Sequence, residues 1–406
     1  MTNKLVPEIR FDGFSSEWIN YKWCETVNMS TNMVDPKSGD FDNLMHVGPG
    51  NIESYSGRLY NNVKTVEEDN LISGKFHFNA GDILYGKINP QLAKFNLAVF
   101  EGLASADTYV LNTKNGISQL YLYTIIQTSD FYKYSVSVSR RTGMPKINRD
   151  ELNQYSYNGP KDYEEQQKIG DFFKNLDDRI ALQQQHITLL KETKQGFLQK
   201  MFPKDGERVP EVRFDGFSEE WALLMFGDVA DIVGGGTPDT TIDEYWNGDV
   251  NWFSPAEIGK QRFVRTSRKK ITNIGLEKSS AKLLPVGTVL FTSRAGIGNT
   301  AILADPASTN QGFQSIVPKK GILDSYFIYS MSNKLKKYGE INGAGSTFTE
   351  ISGKQLAKMK IHIPTFQEQQ KIGEFFKNLD DSIAIHEKEL ELLQETKKGF
   401  LQKMFV

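Results

Sequence analysis

EQQKIGDFFKNLDDRIALQQQHITLLKETKQGFLQKMF, residues 165–202, and EQQKIGEFFKNLDDSIAIHEKELELLQETKKGFLQKMF, residues 368–405, agree at 27 of 38 positions. The same shift of 203 residues lays PEIRFDGFSSEW (7–18) on PEVRFDGFSEEW (210–221), with 10 of 12 positions identical. The chain is therefore a duplication. Between the shared blocks, residues 20–160 and 223–362 have little in common beyond a few glycines and a similar strand rhythm. The frame is repeated and the content is not.

The shared segments read as long helices. Apolar residues step by alternating threes and fours through Ile169, Phe173, Leu176, Ile180, Gln183, Ile187, Leu190, Lys194, Phe197 and Met201. The second copy runs Ile372, Phe376, Leu379, Ile383, His386, Leu390, Leu393, Lys397, Phe400 and Met404. Eight of ten seam positions are apolar in each copy, which is a coiled-coil heptad. Thr365 with Glu368, and Asp162 with Glu165, have the spacing of a capping box at each start. Some 38 residues at a rise of about 1.5 Å make a helix of roughly 57 Å. With one such helix closing each half, the simplest burial of both seams is an antiparallel pair within one chain, an internal pseudo-twofold. The polar seam residues Gln183, His386, Lys194 and Lys397 either help fix register or belong to a solvated face. Identity also extends to Lys168, Lys174, Asn175, Asp177, Asp178, Glu192 and Gln199, which a seam does not need. Such a repeated outer surface suits two copies of one partner, or reflects a recent duplication.

The divergent blocks read as two α+β domains. The first carries strand-like DILYGKI (82–88) and FNLAVF (95–100) and a helical stretch over 119–135. The second carries TVLFTS (288–293), TAILA (300–304) and a helical stretch over 325–339.

Composition narrows the function classes. With 48 basic and 50 acidic side chains, the chain has no uniformly basic coat, so any grip on nucleic acid is local. No apolar run of about 18 residues is present, and Lys4, Glu8, Arg10 and Asp12 interrupt the start where a signal peptide needs apolar residues. A soluble, cytoplasmic protein without membrane contact is expected. The single Cys24, beside Trp23, reads as a small buried hydrophobe, and the five histidines lack metal-ligand spacing, so no metal is expected.

Three motif lookalikes fail on context. GDILYGK (81–87) has phosphate-loop spacing, but Ile88 stands where a magnesium-binding hydroxyl belongs, and the run is strand-like. GIGNTA (296–301) resembles a dinucleotide fingerprint but lies between two short strands, as a hairpin turn does. Asn89 and Pro90 match only the first half of an adenine-methyltransferase motif. No catalytic or cofactor-binding set assembles.

What remains is local charge. KQRFVRTSRKKITNIGLEKSSAK (260–282) holds eight Lys or Arg against one acid. Such a run is either a solvated face or a set of phosphate and base contacts. SRRTGMPKINR (139–149) is a similar cluster at the place that GAGSTFTEIS (343–352) takes in the second half.

The whole chain resembles the specificity subunits of type I restriction-modification enzymes. The resemblance rests on GGGTPDT (234–240), Trp252 with SPAEIG (254–259), GTVLFTSRAGIGNTAIL (287–303), STNQGF (308–313), IPTFQEQQKIGEFF (363–376) and the duplicated GFLQKMF. It implies two target recognition domains, each reading half of a bipartite site on double-stranded DNA. The repeated helices would form the spacer on which two methyltransferase subunits sit, with restriction subunits joining that core. Catalysis, S-adenosylmethionine, ATP and Mg would then belong to the partners, and this subunit would be no enzyme and hold no cofactor.

The chain divides on this reading into a first recognition domain with its repeat segment (1–161), a first helix (162–202), a linker (203–209), a second recognition domain with its repeat segment (210–364) and a second helix (365–406). In the second domain Arg294, Asn310 and Gln311 are the base-edge candidates, with Lys260, Arg262, Arg265, Arg268, Lys269 and Lys270 for phosphates. The first domain departs from the motif pattern, having YGKINPQLAKF (85–95) and ASADTY (104–109) instead, and offers Lys87, Asn89, Gln91, Lys94, Arg140, Arg141 and Lys146. A coiled-coil scaffold without base readout is the alternative.

Overall fold

The computed structural model describes residues 6–140, 143–294, 296–343 and 350–405. The two repeated segments are uninterrupted 38-residue helices, Tyr163–Lys200 and Phe366–Lys403. The chain folds into two compact units, Met1–Ile187 with His386–Val406, and Thr188–Ile385. Each unit thus holds one divergent domain, the first half of the helix that follows that domain, and the second half of the other long helix.

In the first unit, Thr108–Thr113 pairs antiparallel with Val27–Met29 on one side and Ile83–Gly86 on the other, and Ile83–Gly86 pairs in turn with Phe95–Leu97. A second, five-stranded sheet is mixed, its one parallel pair being Met45–Val47 with Gly102–Ala104. The helical stretch expected over 119–135 is two helices, Gln119–Ile125 and Ser129–Val138. The break falls at Thr128, whose hydroxyl accepts from the Phe131 amide at 3.3 Å and starts the second helix afresh.

The second unit repeats the plan. Val289–Phe291 lies in a five-stranded sheet between Gln314–Pro318 and Thr300–Leu303. A three-stranded sheet centres on Trp246–Phe253. The expected helix over 325–339 is again split, into Ser325–Ser330 and Ser332–Asn342.

Inside each unit the two helix halves pack antiparallel. In the first, Phe172 meets Phe400 edge-on at 5.0 Å and Lys397 pairs with Asp177. In the second, Phe375 meets Phe197 at 5.0 Å and Lys194 pairs with Asp380 at 2.6 Å. These are the same contacts, 203 residues apart, and the two seam lysines are engaged across the helix pair. Gln183, also on the seam, donates to the His386 carbonyl at 3.0 Å and to Glu389 at 3.0 Å.

The double occurrence of GFLQKMF follows from this packing. Met404 and Phe405 join the first core, where Phe405 packs on Trp18 at 6.0 Å. Met201 and Phe202 join the second core, where Phe202 packs on Trp221 at 5.9 Å. Each core needs one copy.

The other shared block anchors the domain to its helix. Arg10 grips the fully buried Glu165 with two hydrogen bonds of 2.7 Å, and Arg213 grips the fully buried Glu368 at 2.7 and 2.8 Å. This revises the expected capping boxes: Thr365 does accept from the Glu368 amide at 3.4 Å, but both carboxylate oxygens go to the arginine. Gly170 and Gly373 mark where helix and domain come closest. A Cβ on Gly170 would lie 2.6 Å from that of Leu120, and one on Gly373 would lie 2.6 Å from Asp324 Oδ1.

Cys24 is exposed, contrary to expectation. It sits in the short helical turn Trp23–Thr26, where Trp23 and Thr26 take the inward positions.

Candidate nucleic-acid interface

In both units the same three pieces of backbone converge. The first is a turn between two antiparallel strands, residues 87–94 in one unit and 292–299 in the other. The second is the segment preceding the short helix that leads to the long one. Ile147 donates its amide to the Lys87 carbonyl at 2.9 Å, and Ile351 does the same to Ser293 at 3.1 Å. The third is the turn before strand Thr108–Thr113 in one unit and before Gln314–Pro318 in the other, where Asp107 O accepts from Lys87 N at 3.0 Å and Gly312 O from Ser293 N at 2.8 Å. Backbone bonds therefore hold three loops together in each unit whatever side chains they carry.

In the first unit this convergence brings Lys146 to Lys87, Asn89, Gln91 and Lys94 of the turn, more than 50 residues away in sequence. Ile88 and Lys146 form a β-bridge, and Asn89 N donates to Pro145 O at 2.8 Å. Lys87 lies over the Tyr109 ring at 5.5 Å. Burial, then the nearby Lys146 charge, lowers its ammonium below the ordinary value. Removing positive charge from water next to another cation is what a phosphate would relieve. Lys94 is committed to the Pro49 carbonyl. Arg140 is exposed, and Arg141 lies outside the described residues.

The turn is held in an unusual backbone shape. Asn89 and Ala93 have φ of 50° and 42°, and Tyr55 opposite them has 62°. Non-glycine residues in this left-handed region carry strain of about 1–3 kcal/mol each and persist only where the surroundings over-determine them. Here they do: Tyr55 N donates to Ala93 O at 3.0 Å, and the Tyr55 and Tyr132 hydroxyls both donate to Gln91 O.

In the second unit Arg294, Asn299, Asn310, Ser254 and Gly312 line a cleft of about 520 Å³. Arg294 and Glu350 sit at the equivalent of Ile88 and Lys146, 3.9 Å apart. Asn310 Oδ1 accepts from the Gly312 amide at 2.9 Å, which leaves its amide group for other partners. Gln311 is exposed and accepts from the Thr237 hydroxyl.

The basic run does not act as one patch. Lys260 and Arg268 are exposed, Lys270 is half-buried, and Lys269 lies over the Trp246 ring at 5.7 Å. Arg265, 72% exposed, pairs with Asp305 at 3.2 Å. Arg262 turns inward to Asp381 at 2.8 Å and to the Tyr326 hydroxyl at 3.2 Å.

Sequence reading passed over Asn299 and Glu350. Asn299 lay inside GIGNTA, taken only as a turn, and Glu350 is acidic, which a search for cations discards. Several motif residues turn out to serve packing. A Cβ on Gly235 would lie 1.9 Å from Asn310 O, and one on Gly236 2.3 Å from Ala281 N. Gly235 lets that segment press against the cleft wall at Asn310, and Gly236 lets it pass Ser280 and Ala281, with Trp252 Nε1 donating to Gly236 O at 2.8 Å.

The profile of the type I restriction modification DNA specificity domain matches residues 39–192 and 218–395. The chain belongs to this family. Among its relatives, the MjaIX specificity subunit of Methanocaldococcus jannaschii is 35% identical over 191 residues, covering 46% of this chain and 44% of that subunit. The chain thus matches less than half the length of that relative. The HindI specificity subunit of Haemophilus influenzae is 22% identical over 437 residues, covering 88% of this chain and 91% of the subunit. The type I restriction-modification S subunit from M. genitalium shares the fold with a TM-score of 0.67 at 13% identity, covering 99% of both chains. The family's two-domain internal repeat is the architecture built above. No helix among the described residues is long and apolar enough to cross a membrane.

Proposed function

We propose that the chain is the DNA sequence-reading subunit of a type I restriction-modification complex, and that its two loop convergences each read one half of a two-part site. The observation that carries this reading is that one backbone frame presents different side chains in the two units. Lys87, Asn89, Gln91 and Lys146 stand in one, and Arg294, Asn299 and Asn310 in the other. Twofold-related readers with the same residues would see a palindrome. Unlike readers on a like frame see two different half-sites.

Arg294, Asn310 and Gln311 are base-edge donors on this reading, and Asn299 joins them. Arg suits guanine and Asn or Gln suit adenine. Lys260, Arg265, Arg268, Lys269 and Lys270 would meet phosphates, as Arg140, Lys87 and Lys146 would in the first unit. The long helices act as a ruler, with half-sites on one face of B-DNA about 10 base pairs apart from centre to centre.

The subunit itself is non-catalytic on this reading. Methyl transfer with S-adenosylmethionine, and ATP- and Mg-dependent cleavage, belong to two methyltransferase subunits and to restriction subunits. The helix faces identical in both repeats, including Lys168, Asn175 and Gln199 with their second copies, suit two copies of one partner.

The test is domain replacement. Exchanging residues 20–160 for the corresponding block of a relative with a known target, then mapping methylated sites in cells that carry the methyltransferase, should change one half-site and keep the other. If neither half changes, the chain is a scaffold without base readout.

A further inference from the structure

In the second unit a chain of polar side chains joins the recognition domain to both long helices. Lys194, on the first helix, donates to Asp380 Oδ1 on the second at 2.6 Å. The Tyr326 hydroxyl, on the domain, donates to Asp380 Oδ2 at 2.8 Å and accepts from Arg262 Nη1 at 3.2 Å. Arg262 Nη2 returns to the helix at Asp381 Oδ1, 2.8 Å away. Because Asp380 and Asp381 are neighbours, the chain closes into a ring. Lys194, Asp380 and Arg262 are largely withdrawn from water, with side-chain exposures of 26%, 11% and 22%, whereas Asp381 is 41% exposed and also pairs with Lys377 at 3.0 Å. Burial, with the Asp380 carboxylate, pushes the tyrosine hydroxyl well above its ordinary value and keeps it a donor.

The first unit has the same joint with fewer arms. Lys397 reaches Asp177 on the other helix and the Gln127 side chain on the domain at 2.5 Å. Ser118 and Asp324 donate their amides to the matching helix residues Gln166 and Gln369, so Leu120 stands where the second unit has Tyr326 and supplies no hydroxyl to the joint. Asp177 Oδ2 is buried there without a hydrogen-bond partner.

We infer that Arg262 and Tyr326 are positioning residues: through Asp380 and Asp381 they fix the angle of the second reader on the helix pair, so gap selectivity depends on this joint as well as on helix length. The inference rests on the reading under Proposed function. A helix ruler transmits length only if the readers cannot swivel on it. The Arg262–Asp381 pair and the tyrosine bridge to Asp380 remove that freedom, because swivelling would leave the largely buried Arg262 guanidinium and the Tyr326 hydroxyl unpaired.

The experiment uses the full chain with its methyltransferase subunits. Substrates carry the same two half-sites at the preferred gap and at one base pair more or less. Arg262→Gln should reduce the preference for the natural gap ~tenfold, equivalent to about 1.4 kcal/mol, with the bases read in each half-site unchanged. Tyr326→Phe keeps the ring packing and should move the preference in the same direction. Arg262→Lys should restore part of it. A uniform loss at every gap, with a salt dependence lowered by about one, marks a phosphate contact and overturns the inference. An unchanged ratio in both variants overturns it too. If the unaltered complex modifies no two-part site, the functional reading itself falls and takes this inference with it.

Discussion

Replacing Arg294 with alanine separates base reading from every other use of a surface arginine. Its guanidinium is 38% exposed and lies 3.9 Å from the Glu350 carboxylate. A pair that long and that exposed is worth about 0.2–1 kcal/mol. Arg294→Ala should therefore leave unfolding of the free subunit nearly unchanged. A bidentate contact to a guanine edge discriminates by about 1–3 kcal/mol, a factor of roughly 5 to 150. Specificity should relax by that factor at one position of the second half-site, and the first half-site is the internal control. Glu350→Ala should act in the opposite sense, tightening binding up to roughly fivefold, because it frees the guanidinium from a competitor worth at most about 1 kcal/mol. Methylated-site mapping in cells, with competition binding on single-base variants, reads both effects. An unaltered motif in Arg294→Ala removes this residue from the reading set, and an equal loss on all sequences makes it a phosphate contact.

Arg10→Ala should cost about 3–5 kcal/mol, because it strands the fully buried Glu165 carboxylate. The further change Glu165→Met should recover most of that in urea unfolding, and a cost near zero would mean that the clamp is not buried. Gly170→Ala should destabilise by about 1–3 kcal/mol despite its better helix propensity, since the added carbon meets backbone, whereas Gly196→Ala and Gly399→Ala, with open space around them, should stabilise by about 0.8–1 kcal/mol. Equal signs in the two groups would contradict the helix-to-domain packing. Burial holds the Asp177 carboxyl above its ordinary value of 3.8, with Lys397 partly offsetting it. The folded state then binds more protons than the unfolded one between the ordinary and the raised value, so stability falls as pH rises through that window. Asp177→Asn should flatten this dependence, and an unchanged pH profile would remove Asp177 as its source.

The repeat, the heptads and the antiparallel pairing were legible because periodicity and self-similarity are properties of the chain itself. The Arg10–Glu165 clamp lies within the repeated blocks, yet in sequence Glu165 has only the spacing of a helix cap after Asp162. Residues 155 apart carry no local sign that they meet. The two helical stretches ran on too far because apolar periodicity continues across 126–128 and Met331, while tertiary packing and a Thr128 cap break the helices there. Residue type places Cys24 inside, but in the four-residue helical turn Trp23 and Thr26 take the inward positions. The site was half legible. The turns at 87–94 and 292–299 drew attention through their polar and basic residues, and the convergence that gives them meaning is made by backbone hydrogen bonds. Arg262 shows the limit of reading charge: within one basic run, what a cation faces is decided by the fold.

On the proposed reading, helix length sets the spacing of two unlike readers. Seven residues inserted after Ile187, and seven more after Ile385, keep both seams in register and lengthen each helix by about 10.5 Å, close to three base pairs of B-DNA at about 3.4 Å each. Mapping the methylated motif of this variant beside the unaltered complex is the most direct measurement. The same two half-sites separated by about three more base pairs are expected. An active variant that keeps the original gap would contradict that reading.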